Sequence, residues 1–356
     1  MSIITSTDAE NAGLERLTGK YSQYSEMTLS ERRFLNSLIL RHKPKKILEL
    51  GVSAGGSAVV ILNAIKDDPD ARLYSVDYST NYYIDPRLKS GFAVDAYPEL
   101  QTKHQLHTGG LALEFMEAIG GDIDFCFIDT MHRLPGELLD YLMVLPFLKP
   151  ECVVVFHDTQ LHTWARGGDS IATCLMMSAV KGQKLRLDIP FDPRNFETGL
   201  RTVTGDSQGD NDLRFAAPQP VFANIGGVIL APDAMDHVWD VLNILTLPWS
   251  YRPPEKDIQA TAAWFERFYG ADTGKFLRDA AVFQEYRAAT KELGAIQGFG
   301  GVARIRFGLK SRCRELLYRL RSGLASGRKR EKYARRAEKV RLRREELLRI
   351  KGKYAG

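Results

Sequence analysis

The stretch that decides the fold is Ile47-Leu48-Glu49-Leu50-Gly51-Val52-Ser53-Ala54-Gly55-Gly56-Ser57. An apolar strand at residues 47–50 runs into a glycine-rich turn, and beyond the turn apolar residues recur at the helical spacing of Ala58, Ile61, Leu62 and Ile65. The glycines permit positive φ angles and a close approach of a bulky ligand to the backbone. The stretch therefore predicts a strand, a nucleotide-type cofactor turn and an amphipathic helix.

The residues around this turn disfavour a phosphate ligand. A P-loop ends in Lys-Ser or Lys-Thr, and this turn has neither. Glu49 before the turn and Asp77 after the next predicted strand make the surroundings acidic. A cationic or neutral ligand that carries ribose hydroxyls fits this chemistry better.

Strands and helices alternate on both sides of the turn. The hydrophobic pattern predicts strands at residues 46–50, 72–76, 104–106, 123–128 and 151–156, with a late strand within 221–230. Helices are predicted between them, including 57–66, a segment near 111–119 and one that carries Leu138, Tyr141, Leu142 and Leu145. Near-continuous apolar strands separated by helices predict an α/β fold, a Rossmann-like, doubly wound, mostly parallel sheet with helices on both faces.

Composition divides the 356 residues into four parts. Residues 1–27 form a flexible N-terminal lead-in, which ends at a capping-box pattern, Thr28-Leu29-Ser30-Glu31. The core spans 28–232 and contains a lid or substrate-facing insertion at about 159–220, which is too long and polar for an ordinary connection. A helical C-terminal region rich in aromatic residues covers 233–300, where we expect the rings to pack. A basic tail, helical or partly disordered, covers 301–356.

The net charge of +5 conceals an uneven distribution. Residues 301–356 hold 20 Lys and Arg against 5 Asp and Glu, so residues 1–300 hold 29 against 39. The tail is either a solvated helix or arm, or a segment that docks on an anionic surface such as the inner leaflet of a membrane. Nucleic acid is disfavoured, because no aromatic interleaving or known binding module accompanies the charge.

The sequence predicts a cytoplasmic protein, peripheral at the inner face of the membrane if the tail docks there. It has no 18-residue apolar run and no charged-then-apolar N-terminal signal. The four cysteines form no CxxC pair, and Cys126 and Cys152 fall in predicted buried strands. We therefore expect reduced core thiols and no zinc site.

Polar residues collect where the predicted parallel strands end. Glu49 and the glycine turn end the first strand, Asp77 the second, Asp129 the fourth, and His157-Asp158 the fifth. Ligands of doubly wound sheets bind beyond these carboxyl ends, so the residues predict an acidic rim around a site. Asp77 suits a ribose, but by itself it does not separate NAD from other adenosine cofactors.

The spacing of the turn distinguishes these cofactors. Gly51-x-x-x-Gly55 preceded by Glu49 resembles motif I of the class I S-adenosylmethionine (SAM) methyltransferases. The layout of Phe127-Ile128-Asp129, Leu148-Lys149-Pro150 and residues 153–158 is similar to the catechol O-methyltransferase-like enzymes. Closer still is the macrocin-type and glycan-cluster group, with Phe-Ile-Asp-x-x-His and Phe-His-Asp at these strand ends. The resemblance covers about residues 28–160 and also Asn224-Ile225-Gly226.

This resemblance implies SAM as the cofactor and assigns residues to it. Glu49, Gly51 and Ser57 would contact its methionine part, Asp77 its ribose and the Thr108-Gly109 turn its adenine. Ser53 and Gly55 belong to the same predicted cofactor site.

The resemblance also implies a reaction centre. Asp129, His157 and Asp158 fall where catechol-type enzymes hold Mg²⁺, and a histidine in the set suits other divalent metals as well. The alternative is that His157 and Asp158 only cap the strand end. His132 takes the position of the general base, with Asp129 as the second catalytic residue, and the alternative is a polar surface histidine.

Two departures from the family pattern affect the reaction centre more than the cofactor turn. Thr130-Met131 replaces Gly-Asp before His132, which removes one carboxylate, and Glu151-Cys152 replaces Gly-Gly after Lys149-Pro150. The metal and substrate geometry is therefore less well defined than the cofactor site.

We expect an O-methyltransferase that acts on a hydroxyl, with a sugar of a surface glycan or a glycosylated natural product as the acceptor that the nearest-looking group implies. Three alternatives stay open: a cephalosporin hydroxylase-like enzyme, an NAD-dependent enzyme, or a non-catalytic membrane or nucleic-acid adaptor. A small-molecule acceptor and a homo-oligomer also remain open.

Overall fold

The computed structural model describes residues 2–5, 7–12, 14, 27–163, 169–187 and 224–297, and residues 331, 332, 334, 335 and 338 of the tail. The chain forms two compact units, Met1–Arg278 and Asp279–Gly356. Most of the predicted lid, at 164–168 and 188–223, and nearly all of the predicted basic tail lie outside the described residues.

The first unit contains an eight-stranded sheet. Its strands are β1 (Ser2–Ile4), β2 (Lys46–Leu50), β3 (Arg72–Asp77), β4 (His104–Thr108), β5 (Ile123–Ile128), β6 (Leu148–His157), β7 (Gly182–Leu187) and β8 (Ile225–Leu230). They lie in the order β1-β7-β8-β6-β5-β2-β3-β4. All pairs are parallel except β8 with β6 and with β7. The predicted Rossmann-like, mostly parallel α/β fold is confirmed.

Helices connect the strands and follow the sheet. They are α1 (Asp8–Asn11), α2 (Leu29–His42), α3 (Gly56–Ile65), α4 (Pro98–Gln101), α5 (Met116–Ile119), α6 (Gly136–Val144), α7 (Ala172–Ala179), α8 (Val238–Leu242), α9 (Glu255–Tyr269) and α10 (Ala271–Gln297). Short 3₁₀ segments occur at Phe92–Ala96, Ala112–Glu114, Leu145–Phe147, Leu161–Thr163, Ala234–His237 and Asn243–Thr246. No described helix has both the length and the apolar character needed to cross a membrane.

The core forms because the central strands are apolar along nearly their whole length. Phe125 and Phe127 of β5 and Val155 of β6 are fully buried, and they pack in one cluster with Ile61 of α3 and Leu38 of α2. Burying each such side chain contributes about 1.5–3 kcal/mol. The carboxyl ends of β2, β5 and β6 are thereby held side by side.

The predicted capping box opens α2. The Glu31 backbone N–H donates to Thr28 Oγ1 at 3.3 Å, and the Thr28 N–H donates to Glu31 Oε2 at 2.6 Å. Glu31 is also buried, with only 2% of its surface exposed. Its Oε2 also lies 3.5 Å from His157 Nε2 at the end of β6.

The structure differs from the sequence prediction in three elements. The lead-in at 1–27, expected to be flexible, contributes β1, which pairs with β7. The strand β7 itself lies inside the predicted insertion at 159–220, where Lys184 and Arg186 alternate with Leu185 and Leu187. The helix predicted near 111–119 is divided into a 3₁₀ segment, Ala112–Glu114, and α5.

The predicted helical C-terminal region is confirmed through α8, α9 and α10. Trp264 of α9 stacks on Phe147 with ring centroids 5.9 Å apart, and its indole N–H donates to the Met143 carbonyl at 2.9 Å. Phe265 is fully buried. These rings of α9 pack against the core, as the sequence predicted.

Candidate active site

The turn after β2 is shaped by glycine. Gly51 has a φ of +83° and Gly55 a φ of +98°, and Ser53 between them also lies in the left-handed region at +53°. A Cβ atom on Gly51 would lie 1.8 Å from the backbone oxygen of Asp129. The turn and the end of β5 therefore approach each other at a distance that only glycine permits.

Glu49 supports this turn from inside the protein. It is fully buried, and its carboxylate accepts hydrogen bonds from the hydroxyls of Ser57 and Ser75, each at 2.6 Å. His104 Nε2 lies 2.9 Å from the Ser75 hydroxyl and extends the network to β4. Burial raises the pKa of Glu49 to about 7, although the two serine hydroxyls oppose the rise.

Asp77 links the end of β3 to the same turn. Its Oδ2 accepts hydrogen bonds from the backbone N–H groups of Val52 at 3.0 Å and Ser53 at 2.9 Å. Its Oδ1 accepts one from the Ser79 N–H at 2.8 Å. These three bonds fix the carboxylate at the wall of the cavity next to the turn.

A cavity of about 590 Å³ opens at the carboxyl ends of the strands. Of the predicted cofactor residues, Gly51, Ser53, Ser57 and Asp77 line it. Glu49, Gly55, Thr108 and Gly109 do not, whereas the neighbouring residues Gly56, Gly110, Leu111 and Ala112 do. The cavity is large enough for a nucleoside-sized ligand together with part of an acceptor.

Two aspartates and a histidine converge at one side of this cavity. Asp129, His132 and Asp158 each offer one ligand atom, and these atoms all lie within 4.8 Å of one another. Both Asp129 and His132 line the cavity. Two carboxylate oxygens and one imidazole nitrogen form a donor set that fits a divalent cation of the Mg²⁺, Mn²⁺ or Zn²⁺ kind.

His157, which the sequence placed among the metal ligands, lies behind this group. Only 3% of it is exposed. Its Nδ1 is 3.3 Å from Asp129 Oδ2 and its Nε2 is 3.5 Å from Glu31 Oε2. Both ring nitrogens therefore face carboxylates in the interior, and the nitrogen ligand of the group is His132.

His132 is held between carboxylates as well. Its Nδ1 is 3.1 Å from Glu137 Oε1, and its Nε2 is 3.0 Å from Asp158 Oδ2. Burial lowers the pKa of His132, but Glu137 and Asp158 outweigh that effect and raise the pKa to about 10. Each ring nitrogen thus faces a carboxylate, an arrangement that favours the protonated ring.

Asp158 is anchored by Asn224, the residue that precedes β8. Asn224 Nδ2 donates to Asp158 Oδ1 at 2.6 Å, and Asn224 Oδ1 accepts from the Gln160 N–H at 2.8 Å. The φ of Asp158 is +56°, a strained value for an aspartate. Asn224 therefore holds a strained turn in the position that directs Asp158 toward His132.

One part of the cavity wall is aromatic and acidic. Tyr78, Tyr83 and Tyr251 line it, together with Asp140 and Asp257. The Tyr78 hydroxyl donates to Asp257 Oδ2 at 3.1 Å, which connects the end of β3 to the first turn of α9. Burial raises the pKa of Asp140 to about 7, against the effect of a hydrogen bond from Thr130.

Sequence reasoning did not find several residues of this site. Glu137 and Asp140 lie beside the apolar positions of α6, and carboxylates so close to a buried helix face were a signal that could have identified them. Tyr251 and Asp257 follow no motif, since tertiary packing alone brings them to the cavity.

One family model matches part of the chain. Residues 48–159 match the family model of a methyltransferase domain. This match confirms the prediction of a methyltransferase for the segment that carries the turn, Asp77, Asp129 and His157-Asp158. No curated protein matches the chain.

Three solved structures illustrate the similarity. A putative O-methyltransferase from Klebsiella pneumoniae is 14% identical, with 64% of this chain and 92% of that chain covered and a TM-score of 0.34. An O-methyltransferase from Bacillus cereus in complex with SAH is 16% identical, with 52% and 86% covered and a TM-score of 0.36. The O-methyltransferase TomG from Streptomyces achromogenes, involved in tomaymycin synthesis and in complex with SAM, is 12% identical, with 64% and 92% covered and a TM-score of 0.35.

Proposed function

We propose that this protein, whose residues 48–159 form a methyltransferase domain, is a SAM-dependent O-methyltransferase. The observation that carries the proposal is that the glycine turn, Asp77 and Asp129 of the matched segment line one cavity. The cofactor turn and the carboxylate of the reaction centre are thus open to the same bound molecules.

The residues of the cavity fit SAM. The positive φ angles of Gly51 and Gly55 open the backbone for close approach, and the Asp77 carboxylate lines the cavity, where it would accept hydrogen bonds from the ribose hydroxyls. Ser53 and Ser57 offer hydroxyls, and residues 110–112 would form a surface for the adenine. When bound, SAM supplies an electrophilic methyl group on a positively charged sulfur, which suits an acidic wall.

Glu49 takes a supporting role in this proposal. Since it is fully buried and bonded to Ser57 and Ser75, it holds the turn in shape and places the Ser57 hydroxyl. The same reasoning gives Gly55 a conformational role, because it lies at the N-cap of α3.

Asp129, His132 and Asp158 would hold a divalent metal, and such an ion would lower the pKa of an acceptor hydroxyl. Asp129 is about one-fifth exposed and faces the cavity, so its carboxylate can accept the hydroxyl proton. As a metal ligand, His132 would bind through an unprotonated Nε2, with Nδ1–H directed at Glu137; without a metal, the ring between Glu137 and Asp158 would instead act as an imidazolium that stabilises the negative charge on the acceptor oxygen. Most of the rate acceleration would come from positioning the acceptor oxygen against the methyl group.

The aromatic and acidic part of the cavity wall suits a polyhydroxylated acceptor such as a sugar. Asp140 and Asp257 can accept hydrogen bonds from hydroxyl groups, and the rings of Tyr78, Tyr83 and Tyr251 offer flat apolar surfaces. Among the described residues that line the cavity there is no Lys or Arg. A neutral acceptor therefore suits this wall better than a phosphorylated one.

Two measurements test the proposal. Calorimetric titration should show binding of S-adenosylhomocysteine (SAH) and none of NADH, and binding of NADH alone would overturn it. Transfer of labelled methyl groups from SAM to a panel of glycan precursors, nucleotide sugars and catechol should favour the neutral glycans. A chelator should lower the rate if the metal assists, and transfer to catechol alone would change the acceptor class.

Variants of the reaction centre refine the test. Asp129→Ala and His132→Ala should each abolish methyl transfer while SAH affinity stays within about twofold. Asp233→Ala and His237→Ala are the matched controls, because that pair lies 3.2 Å apart on the surface and away from the cavity. Full turnover by Asp129→Ala would remove it as the proton acceptor.

The basic tail supports a second part of the proposal, which is docking of the protein on an anionic membrane surface. Each Lys or Arg near such a surface contributes about 1 kcal/mol. The full chain should co-sediment with vesicles that contain phosphatidylserine and be released by salt, and a variant with Arg328, Lys329 and Arg330 changed to Gln should bind less. Equal binding to neutral phosphatidylcholine vesicles would contradict it.

Sedimentation velocity would decide whether the protein is a homo-oligomer.

A further inference from the structure

A buried carboxylate from outside the matched segment reaches the reaction centre from behind. Glu31 lies in the first turn of α2, seventeen residues before the family match begins at residue 48. Its side chain has 2% of its surface exposed, and Oε2 accepts the Thr28 N–H at 2.6 Å. The same oxygen lies 3.5 Å from His157 Nε2. The helix cap and the contact with His157 therefore share one carboxylate.

His157 passes this contact on to the residues of the cavity. Its Nδ1 is 3.3 Å from Asp129 Oδ2 and 3.6 Å from Asp158 Oδ1. The ring is buried beside Phe127, with ring centroids 6.4 Å apart. Neither ring nitrogen reaches hydrogen-bond geometry, so the ring is held by ion-pair contacts alone, with Glu31 on one side and the two aspartates on the other.

Because these groups are buried, the loss of one partner is costly for the other. A buried carboxylate without a cationic or hydrogen-bonding partner is costly, and so is a buried imidazole whose nitrogen faces nothing polar. If Glu31 lost its charge, Nε2 of His157 would lose its carboxylate neighbour, and the ring could rotate away from Asp129. Asp129 would then lose the contact between its Oδ2 and His157 Nδ1.

We propose that Glu31 is a positioning residue, which orients His157 and, through it, fixes Asp129 for the acceptor hydroxyl. The inference rests on the proposed function, because Asp129 is the group that receives the hydroxyl proton there. It adds a residue from a helix that lies outside the matched domain and does not line the cavity.

The decisive variant is Glu31→Gln, because glutamine also completes a capping box and so keeps the start of α2. We expect kcat to fall about 10–100-fold, the range found when a partner of an active-site ligand is removed. The KM for SAM and the affinity for SAH should stay within about twofold. Glu31→Asp, which keeps the charge on a shorter side chain, should recover part of the lost kcat.

Thr28→Ala is the matched control. It removes the hydroxyl that caps α2 but leaves the Glu31 carboxylate beside His157, so the melting temperature should fall while kcat stays near that of the wild type. If Thr28→Ala lowers kcat as much as Glu31→Gln does, Glu31 acts only through helix stability and the inference fails. An unchanged kcat in Glu31→Gln would overturn it as well.

A spectroscopic measurement separates this inference from the proposed function. In protein labelled with ¹⁵N-histidine, the His157 ring signals can be assigned by their loss in His157→Gln. Glu31→Gln should shift the Nε2 signal of His157, whereas Thr28→Ala should leave it in place. If the wild type binds SAH but methylates no acceptor on the panel, the unchanged position of this signal in Glu31→Gln would still refute the inference.

Discussion

Replacing Glu49 by glutamine should remove a pH dependence of the free energy of unfolding. The Glu49 carboxyl is fully buried between Ser57 and Ser75, and burial raises its pKa from the ordinary 4.5 to about 7. Each pKa unit corresponds to about 1.4 kcal/mol, so this rise is worth about 3 kcal/mol, as an order of magnitude. The folded chain binds the proton more tightly than the unfolded chain does.

The sign of the effect follows from this difference. Between pH 4.5 and about 7 the folded state holds more protons than the unfolded state, so the contribution of Glu49 to stability falls as the pH rises. Below pH 4.5 both states are protonated and the contribution is fully present. Glutamine, which is nearly isosteric with the protonated acid, does not titrate. Relative to the wild type, Glu49→Gln should therefore gain about 3 kcal/mol between pH 4.5 and 8.

Urea unfolding followed by circular dichroism at several pH values between 4.5 and 8 measures this difference. Asp140→Asn is the control, because burial raises the pKa of Asp140 to about 7 as well and it therefore titrates in the same window at a different place in the protein. Each variant should remove only the part of the pH dependence of stability that its own carboxyl group contributes. If the stability of Glu49→Gln keeps the wild-type pH dependence, Glu49 ionises freely in the folded protein and the argument is wrong.

Two further substitutions test the geometry of the site. Gly51→Ala should destabilise the protein by on the order of 4 kcal/mol or prevent folding, because its Cβ would lie 1.8 Å from the Asp129 oxygen at a φ of +83°; Gly121→Ala, with no atom within 4 Å, should change the melting temperature little. Asn224→Ala should cost about 1–3 kcal/mol and lower kcat more than SAH affinity, because it releases Asp158, and an unaltered kcat would show that Asp158 needs no anchor.

The amino-acid pattern was sufficient to predict the parallel strands and the turn. Leu48 and Phe127 belong to strands that are apolar along their length, and such strands are stable only when both faces are covered. The short or charged strands escaped prediction. β1 has only three residues, too few to show a period, and β7 alternates Lys184 and Arg186 with leucines, a half-buried pattern unlike the near-continuous apolar runs of the central strands.

The part of the cavity wall formed by Tyr78 and Asp257 could not be predicted for a different reason. Tyr78 and Asp257 are 179 residues apart in sequence, yet their side chains meet at 3.1 Å. Local spacing carries no information about such a pair, because the contact depends on where α9 packs after the sheet has formed.

By itself, the sequence determined that this chain folds around a glycine turn and that Asp77, Asp129 and His157-Asp158 stand at the same edge of the sheet. The period of the strands is enough for that, because the carboxyl ends of parallel strands must lie together. Only the tertiary structure decided which histidine faces the cavity. His157 turns inward because Glu31 of α2 is packed behind it, and His132 faces the aspartates because Glu137 holds its other nitrogen. Both outcomes depend on carboxylates from other elements, whose positions are set by packing and not by local sequence.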